Sequence, residues 1–256
     1  MSENNKIRQP NYISHEKGFM SWWMTVDHKR LGLLYSASIF TFFLIGGVFA
    51  LLVRTELISA GKTIMGPDDY NVAFTLHGAI MIFLFIVPGI PATLGNFMLP
   101  LMIGAKDVVF PRLNRLSYWI YVLGAIIAGC AACMRLDTGW TFYAPYSIQN
   151  NAPVITMTFA AFVLGFSSIL TGINFLVTIH TMRAPGLTWG RLPLFVWTLY
   201  ATALLQIIAT PVIGITLVLL IAENVFGIGV FNSAIGGDPV LFEHMFWFYS
   251  HPVVYI

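Results

Sequence analysis

The segment HMFWFYSHPVVYI, residues 244–256, holds the side chains whose types and spacing point most directly to chemistry. His251 and Tyr255 are four residues apart, so a helix places them on one face, with Trp247 one turn earlier. Imidazole binds copper, iron or zinc, and a phenol beside a bound metal can donate a proton and an electron. The alternative is an aromatic belt at a membrane surface, but this segment lies deep in an apolar run. Because one histidine cannot hold a metal, partner ligands must come from elsewhere.

His77 is a second candidate ligand, in the apolar run that begins near residue 72. Ionisable groups within such runs are costly to bury, so they mark the places to look for function. The following residue, Gly78, would let a flat cofactor approach the helix backbone closely. Taken alone, His77 could equally be a hydrogen-bonded packing residue. Cys130 and Cys133 form a C-x-x-C pattern with no further ligands nearby, and we expect them to pack as small residues between helices.

Six apolar runs must position these side chains. They cover about residues 32–54, 72–103, 116–135, 154–182, 194–224 and 239–256, and most reach the roughly 20 residues that a membrane-spanning helix needs. The chain is 57% hydrophobic and only 9% charged, far from the balance of a soluble domain. The runs lack the alternation of barrel strands, so the sequence predicts an all-α, polytopic transmembrane bundle with six spans. Pro88 and Pro91 are expected to kink the second span, and Pro211 the fifth.

Basic residues in the connections predict the orientation of this bundle. With the N-terminus in the cytoplasm, ten of the 13 Lys and Arg residues lie inside, and only Arg54, Lys62 and Arg135 lie outside. We therefore expect a cytoplasmic arm over residues 1–30, without a cleavable signal, followed by a membrane domain over 31–256. The net charge of +2 reflects this sidedness and gives no sign of a nucleic-acid surface. The aromatic connection from Asp137 to Pro153 is expected to fold over the outer end of the bundle.

The motif HPVVY preceded by WFYS resembles the sixth-helix motif of subunit I of heme–copper terminal oxidases. Further segments follow that family in order from about residue 25 to the end of the chain. They are TVDHKRLGLLY, LVRTEL, LHGAIMIF, GNFMLPLMIGAKDVVFPRLNRLSYW, GWTFYAPYS, SSILTGINFLVTIHTMRAPG and DPVLFEHMFWFYSHPVVYI. Such ordered agreement is highly specific.

The resemblance implies roles for particular residues in binding hemes and copper. His77 corresponds to one axial ligand of the low-spin heme, and Arg54 to the arginine that binds the formyl group of a heme A. His251 corresponds to one of three histidines on the catalytic copper, and Tyr255 to the tyrosine cross-linked to it. Trp140 corresponds to a tryptophan that contacts a heme propionate, and Trp247 to one packed near the copper. The high-spin heme could be of A or O type.

The resemblance also implies a proton path that begins at Asp107 on the inner face. The other residues that match polar groups of this channel are Asn96, Asn114, Asn174, Ser167, Ser168 and Tyr35. For any one of these, hydrogen bonding between helices is the alternative, and for Ser167 or Ser168 alone that alternative is favoured. The chain departs from the commonest pattern at Val253, where most of the family has a glutamate. Tyr249 and Ser250 resemble the tyrosine–serine pair of the subclass that lacks it, and we expect Tyr249 to take over the proton relay.

The family subunit has about twelve spans, so this chain resembles its first half only. The remaining copper and heme ligands would lie in the second half, and subunits II and III, cytochrome c and the lipid bilayer are the other implied partners. The expected function is reduction of dioxygen to water with electrons from cytochrome c, coupled to proton pumping, in a bacterial cytoplasmic membrane. A quinol oxidase of the same superfamily is one alternative. A secondary transporter or channel, from another functional class, is a second.

Overall fold

The computed structural model describes residues 11–13, 18–149 and 151–256, and within these residues the fold is helical without strands. The expected arm over residues 1–30 lies partly outside the described residues, and its boundary stays a prediction. The helices are α1 (Phe19–Trp23), α2 (His28–Glu56), α3 (Pro67–Ala79), α4 (Asn96–Ile103), α5 (Pro111–Cys133), α6 (Tyr146–Gln149), α7 (Asn151–Thr181), α8 (Leu194–Phe226) and α9 (Pro239–Ser250).

Five helical segments of the described chain are long and apolar enough to cross a membrane. They cover His28–Glu56, Pro67–Ile103, Pro111–Cys133, Ala152–Thr181 and Leu194–Phe226, and these match the first five predicted runs. The chain is therefore a multi-pass, all-helical membrane protein. The sixth run begins with the 12 residues of α9 and continues as a 3-10 turn over Pro252–Tyr255. By itself α9 is shorter than the roughly 20 residues that span the hydrocarbon.

Local sequence signals set where several of these helices begin and end. The Asp27 carboxylate accepts the backbone N–H of Lys29 at 2.8 Å and so caps α2, and the Asp238 carboxylate caps α9 in the same way. Gly104 and Gly227 end α4 and α8 with φ angles of 76° and 65°, where a residue with a Cβ would be strained. The polar residues between the apolar runs thus define the connections.

The second span is irregular around its prolines. The backbone forms wider π-type turns over residues 80–86 and 89–95, on either side of Pro88. The carbonyl of Leu84, inside the first of these turns, accepts a hydrogen bond from the Tyr121 hydroxyl at 2.8 Å. Such turns are common at functional sites because they redirect side chains along one helix. By contrast, α8 continues through Pro211 as a single helix.

Helices α5, α7 and α8 pack side by side, and α2 packs against the second span. A Cβ at Gly124 of α5 would lie only 2.7 Å from the Leu164 side chain of α7, so a glycine permits this close approach. The prediction that Cys130 and Cys133 pack between helices is wrong, because both are exposed on the surface of this chain. Their face of α5 points away from α7, a direction that composition alone does not reveal.

We name the two ends of the bundle by a residue at each. The Asp107 end holds the start of α2, the connection between α4 and α5, and the start of α8. The Trp140 end holds the end of α2, the start of α3, the connection between α5 and α6, and the start of α9. Which end faces the cytoplasm stays a prediction.

Candidate functional site

His77 is half-buried on α3, and its ring is fixed by a contact with the neighbouring helix α2. Its Nδ1 lies 2.9 Å from the backbone carbonyl oxygen of Gly46. Because a carbonyl only accepts hydrogen bonds, Nδ1 must carry the proton, and the lone pair of a neutral ring is then on Nε2. A Cβ at Gly46 would lie 2.8 Å from the Met81 sulfur, so glycine allows the two helices to come this close. The arrangement is that of an imidazole whose other nitrogen is prepared to bind a metal.

Trp140, from the connection after α5, lies directly against Gly78. A Cβ at Gly78 would come within 2.9 Å of the indole ring, so this side chain occupies the space next to the glycine. We expected Gly78 to leave room for a flat cofactor, but the space beside it is filled by the Trp140 side chain. The loop is held on α3 by a hydrogen bond of 2.9 Å from the Gly139 N–H to the Thr75 hydroxyl. Gly78 thus positions Trp140 beside the helix that carries His77.

The same connection also contacts α9. The Trp140 and Trp247 rings meet edge to face, with centroids 6.0 Å apart and planes at 82°. The Trp247 Nε1–H donates a hydrogen bond to the Tyr143 hydroxyl. As expected, the connection folds over one end of the bundle, and it links the helices that carry His77 and His251. Arg54, the remaining side chain matched to a heme contact, is exposed near the end of α2, and among the described residues it has no hydrogen-bond partner.

His251 and Tyr255 lie in contact where α9 passes into the 3-10 turn. The His251 Nε2 is 2.8 Å from the Tyr255 hydroxyl oxygen, and the ring centroids are 5.2 Å apart. The spacing of four residues thus brings the two side chains together. Both are exposed on the surface of this chain, Tyr255 by 66%. With Nε2 held by the phenol, Nδ1 is the ring nitrogen open to a metal.

No group of three or more His, Cys, Asp or Glu side chains in the described ranges could hold a metal ion. His77 and His251 each offer one nitrogen, and a stable transition-metal site needs several ligands. Any metal held here must therefore be shared with groups outside the described chain.

Asp107 lies half-buried in the connection between α4 and α5. Its carboxylate accepts the backbone N–H of Val108 at 2.7 Å. Burial raises the pKa of Asp107 above its ordinary value, and this effect exceeds the opposing influence of the Val108 N–H and of His28. A carboxyl group with a raised pKa keeps a proton more readily near neutral pH.

Asn96 and Asn114 form a buried amide pair above this connection. The Asn114 side-chain N–H donates to the Asn96 side-chain oxygen at 2.6 Å, and His28 Nδ1 donates to the Asn96 carbonyl at 2.6 Å. The side-chain oxygen of Asn114 is buried and has no partner among the described residues. Asn174 serves differently, because its amide accepts from the Phe110 N–H at 3.0 Å and fixes the start of α5. The structure therefore groups Asn96 with Asn114 but not with Asn174.

Three hydroxyl groups meet one step further into the bundle. The Tyr35 hydroxyl lies 3.1 Å from that of Ser117 and 3.5 Å from that of Ser167. Ser167 also donates to the Ser117 carbonyl at 2.7 Å, and Ser117 donates to the Asn114 carbonyl at 2.8 Å. Sequence reasoning found Tyr35 and Ser167 but missed Ser117, whose only signal is a polar residue in an apolar run.

A small cavity lies between these hydroxyls and α9. It has about 40 Å³ of space for the centres of water molecules, and its polar lining comes from Ser167, Ser168, Thr171, Gln206 and Tyr249. The hydroxyl of Ser168 and the side-chain oxygen of Gln206 are buried without a partner in the described chain. Ser250 is buried beside Tyr249 but does not line the cavity. The cavity thus joins the predicted serines to the predicted tyrosine.

Two buried carboxylates that the sequence did not single out organise the Trp140 end. Glu56 accepts the backbone N–H groups of Thr63, Ile64 and Met65 at 2.7 to 2.9 Å. Glu223 accepts those of Phe231 and Asn232 at 2.8 and 2.7 Å. Each acidic residue lies in the last turn of a long helix and holds the connection that follows. In the sequence, the signal that could have indicated these two residues is a single acidic residue at the end of an apolar run.

Comparisons with known proteins identify the family of this chain. The family model described as Cytochrome C and Quinol oxidase polypeptide I matches residues 30–256. The chain belongs to this oxidase family. It is 41% identical over 249 residues to a protein of Thermostichus vulcanus named cytochrome c oxidase subunit 1, covering 96% of this chain and 45% of that protein. It is 44% identical over 248 residues to a probable cytochrome c oxidase subunit 1-alpha of Streptomyces avermitilis, covering 93% and 42%.

A third relative is the cytochrome c oxidase polypeptide 1 of Halobacterium salinarum, 40% identical over 255 residues, which covers 96% of this chain and 42% of that protein. The chain therefore spans less than half the length of these curated relatives. Membership of the oxidase family favours an oxidase over the transporter or channel that the sequence left open. The matched range includes every candidate site residue from His77 to Tyr255.

Proposed function

We propose that this chain is the N-terminal half of the catalytic subunit of a proton-pumping cytochrome c oxidase that reduces dioxygen to water. The observation that carries the proposal is the fixed imidazole of His77. Its Nδ1–H donates to the Gly46 carbonyl at 2.9 Å, which leaves the Nε2 lone pair available to a metal, in a chain of the oxidase polypeptide I family. The complete enzyme would include the rest of the subunit, subunits II and III, and cytochrome c.

The residues of this chain fit the heme and copper groups that the family implies. His77 would hold the iron of a low-spin heme A through Nε2, with Arg54 at the formyl group and Trp140 at a propionate. His251 would hold the catalytic copper through Nδ1, with Trp247 packed nearby. When bound, these groups and a high-spin heme of A or O type supply the electron transfer and oxygen chemistry.

Tyr255 would act as a proton donor beside His251. Its hydroxyl lies 2.8 Å from the His251 Nε2, within the distance at which protons transfer between heteroatoms. A phenol can also give up an electron, which few other side chains do. The contact between the two rings holds this hydroxyl in place.

Protons would reach the site from the Asp107 end. The half-buried carboxyl of Asp107 accepts the proton, and the pair Asn96 and Asn114 lies next along the route. The hydroxyls of Ser117, Tyr35 and Ser167 follow. The Tyr35 hydroxyl lies 3.1 Å from that of Ser117 and 3.5 Å from that of Ser167, and the Ser167 hydroxyl donates to the Ser117 backbone carbonyl at 2.7 Å. Amides and hydroxyls can order water between apolar helices without the energetic cost of burying a charge. Tyr249 would form the inner end of this route in place of the glutamate that most of the family has at position 253.

Heme absorption of the complete complex tests the proposed function. We expect the reduced-minus-oxidised spectrum to show heme bands, and His77→Asn to remove the low-spin component because the amide cannot replace imidazole as an axial ligand. His180→Asn is the matched control. His180 is an exposed histidine in the last turn of α7, at the Asp107 end, and its Nε2 lies 3.2 Å from the Tyr200 hydroxyl. A complex without heme bands, or an unchanged spectrum of the His77 variant, would contradict the proposal.

The relay role of Tyr249 has its own test. Tyr249→Phe removes one hydroxyl from the cavity lining, and we expect slower proton uptake with full heme content. Tyr118→Phe is the control, because the Tyr118 hydroxyl pairs with Ser38 at 3.2 Å outside this cavity. Unchanged turnover and pumping in the Tyr249 variant would refute the relay.

A further inference from the structure

Gln206 is a buried amide in the middle of α8 that no resemblance singles out. It is 2% exposed, and its side-chain oxygen has no hydrogen-bond partner among the described residues. Burying an amide without a hydrogen-bond partner costs free energy, so such a group needs a partner from the protein or from bound water. The other buried residues of α8 are apolar except for Thr202, Thr210, Thr216 and Glu223, so Gln206 is the only amide among them.

The facing helix makes room for this side chain. A Cβ at Gly172 of α7 would lie 3.2 Å from the Gln206 side-chain oxygen and 3.1 Å from the Ala203 carbonyl. Any larger residue at position 172 would therefore press on the amide. Gly172 thus leaves the space on α7 that this amide occupies, beside the cavity that Gln206 lines.

The cavity that Gln206 lines is suited to water. Its volume of about 40 Å³ for water centres exceeds the roughly 10 to 15 Å³ that one water molecule needs. Ser168 supplies a second unpartnered oxygen. Tyr249 lines the cavity too, and its hydroxyl makes no hydrogen bond to the described residues. A buried water is stable when it has two to four polar partners, and this cavity offers that number. Most of the other lining residues are apolar, including Leu164, Ile213 and Leu217, and the exceptions are Ser167, Thr171 and Tyr121.

We propose that Gln206 binds and orients the water that connects the α7 serines to Tyr249, and so is a positioning residue of the proton path on the fifth span. The effect on proton transfer rests on the proposed oxidase function, whereas the water site itself does not. Ser167, which lies 3.5 Å from the Tyr35 hydroxyl, and Ser168 line the cavity from α7, and Tyr249 lines it from α9. Without an acceptor on α8, the water would lose a partner in an otherwise apolar wall, and proton transfer to Tyr249 would slow.

The test uses the complete oxidase complex with Gln206→Met, which keeps the side-chain length but removes both polar atoms. We expect a high-resolution map of the wild type to show ordered water within hydrogen-bond distance of Gln206, Ser168 and Tyr249, and the variant to lack it. Proton uptake should slow about five- to tenfold, as the loss of one buried hydrogen bond implies, while heme content is unchanged. Gln206→Glu, which retains an oxygen acceptor, should restore both the water and the uptake rate.

Thr216→Val is the matched control. Thr216 is buried on the same helix, but its hydroxyl is satisfied by the Val212 carbonyl at 2.8 Å and does not line the cavity. The proposal is overturned if a map of the wild-type complex shows no water at Gln206. It is also overturned if Gln206→Met takes up protons at the wild-type rate while Tyr249→Phe takes them up more slowly. A complex without heme bands would instead refute the oxidase function, and the map would still decide the water site.

Discussion

At the scale of single residues, the two candidate metal ligands each have one ring nitrogen already engaged. In His77 it is Nδ1, held by the Gly46 carbonyl, and in His251 it is Nε2, held by the Tyr255 hydroxyl. The nitrogen left for a metal therefore differs between the two. A hydrogen bond to the second nitrogen fixes the ring orientation and strengthens the ligand, so each side chain is prepared before a metal binds.

Asp107→Asn tests the start of the proton path. The amide oxygen can still accept the Val108 N–H, so the connection should keep its shape, but the side chain can no longer carry a proton. Because burial raises the pKa of Asp107, the wild-type carboxyl stays protonated to a higher pH than an exposed aspartate. Turnover of the complete complex should decline as the pH rises through this raised pKa. We expect the variant to be at least about tenfold slower and to lack that pH dependence.

Asp69→Asn is the control for this measurement. Asp69 is an exposed acid at the Trp140 end, paired with Arg135 at 2.6 Å, and exposed pairs contribute little to stability. Its variant should keep wild-type turnover at every pH. A wild-type pH profile in Asp107→Asn would contradict the assigned role.

Sequence reasoning at this scale succeeded where spacing along one helix decides a contact. The interval from His251 to Tyr255 predicts that the side chains meet, and they do. It failed for Gly78, because the residue that fills the space beside a glycine comes from a connection far along the chain, here Trp140. It could not find Gln206, since a single amide in an apolar run has no motif. The roles of the site residues stay predictions.

At the scale of helices, glycines in α5 and α7 permit the close packing that brings polar groups together. Lipid is as apolar as most side chains, so association of membrane helices depends on close contact and on shared polar groups. The close approach at Gly124 brings α5 against α7, and the hydrogen bond from the Ser167 hydroxyl to the Ser117 backbone carbonyl joins the same two helices. A shift between these helices would separate the polar groups.

Gly124→Ala should therefore destabilise the protein. The added Cβ would lie 2.7 Å from the Leu164 side chain and 3.3 Å from the Ala160 carbonyl, so α5 must move away from α7. Overpacking of this kind costs about 1 to 3 kcal/mol, and we expect a lower midpoint of thermal unfolding in detergent. Gly129→Ala on the same helix is the matched control, because open space surrounds that position and alanine favours a helix. Equal unfolding midpoints for the two variants would contradict this account of the packing.

The helices themselves were largely predictable from sequence, and their facing sides were not. Long apolar runs predict membrane spans by length alone, and five of the six correspond to long helices. The direction of each face depends on which helices are neighbours, and this is why the packing of Cys130 and Cys133 was predicted wrongly. Pro88 and Pro91 predicted an irregularity in the second span, but not that it would take the form of π-type turns on either side of Pro88.

At the scale of the whole molecule, the exposed surface is strongly apolar. Leu44, Leu51 and Ile126 are each more than 60% exposed, and helices that span a membrane present such side chains to lipid. His251 and Tyr255 are exposed as well, although the proposed chemistry needs a site closed to bulk water. The curated relatives are more than twice as long as the region they share with this chain, and we propose that the remaining length supplies the missing ligands and covers this site.

The orientation of the bundle can be decided by labelling at its two ends. Lys62 and Lys106 are exposed in connections at the Trp140 end and the Asp107 end, and each can be replaced by cysteine. Because Cys130 and Cys133 are themselves exposed, Cys130→Ser and Cys133→Ser must first remove the background reaction. A membrane-impermeant maleimide should label Lys62→Cys in intact cells but label Lys106→Cys only after the membrane is opened.

The physical reason for this expectation is the distribution of basic residues: of the ten Lys and Arg residues that the structure describes, seven lie at the Asp107 end. Short connections rich in Lys and Arg are retained in the cytoplasm during insertion. That orientation also places the half-buried carboxyl of Asp107 where it can take protons from the cytoplasm, so sidedness and pumping direction are linked. The reverse labelling pattern would invert both, and the proton path would then need another starting group.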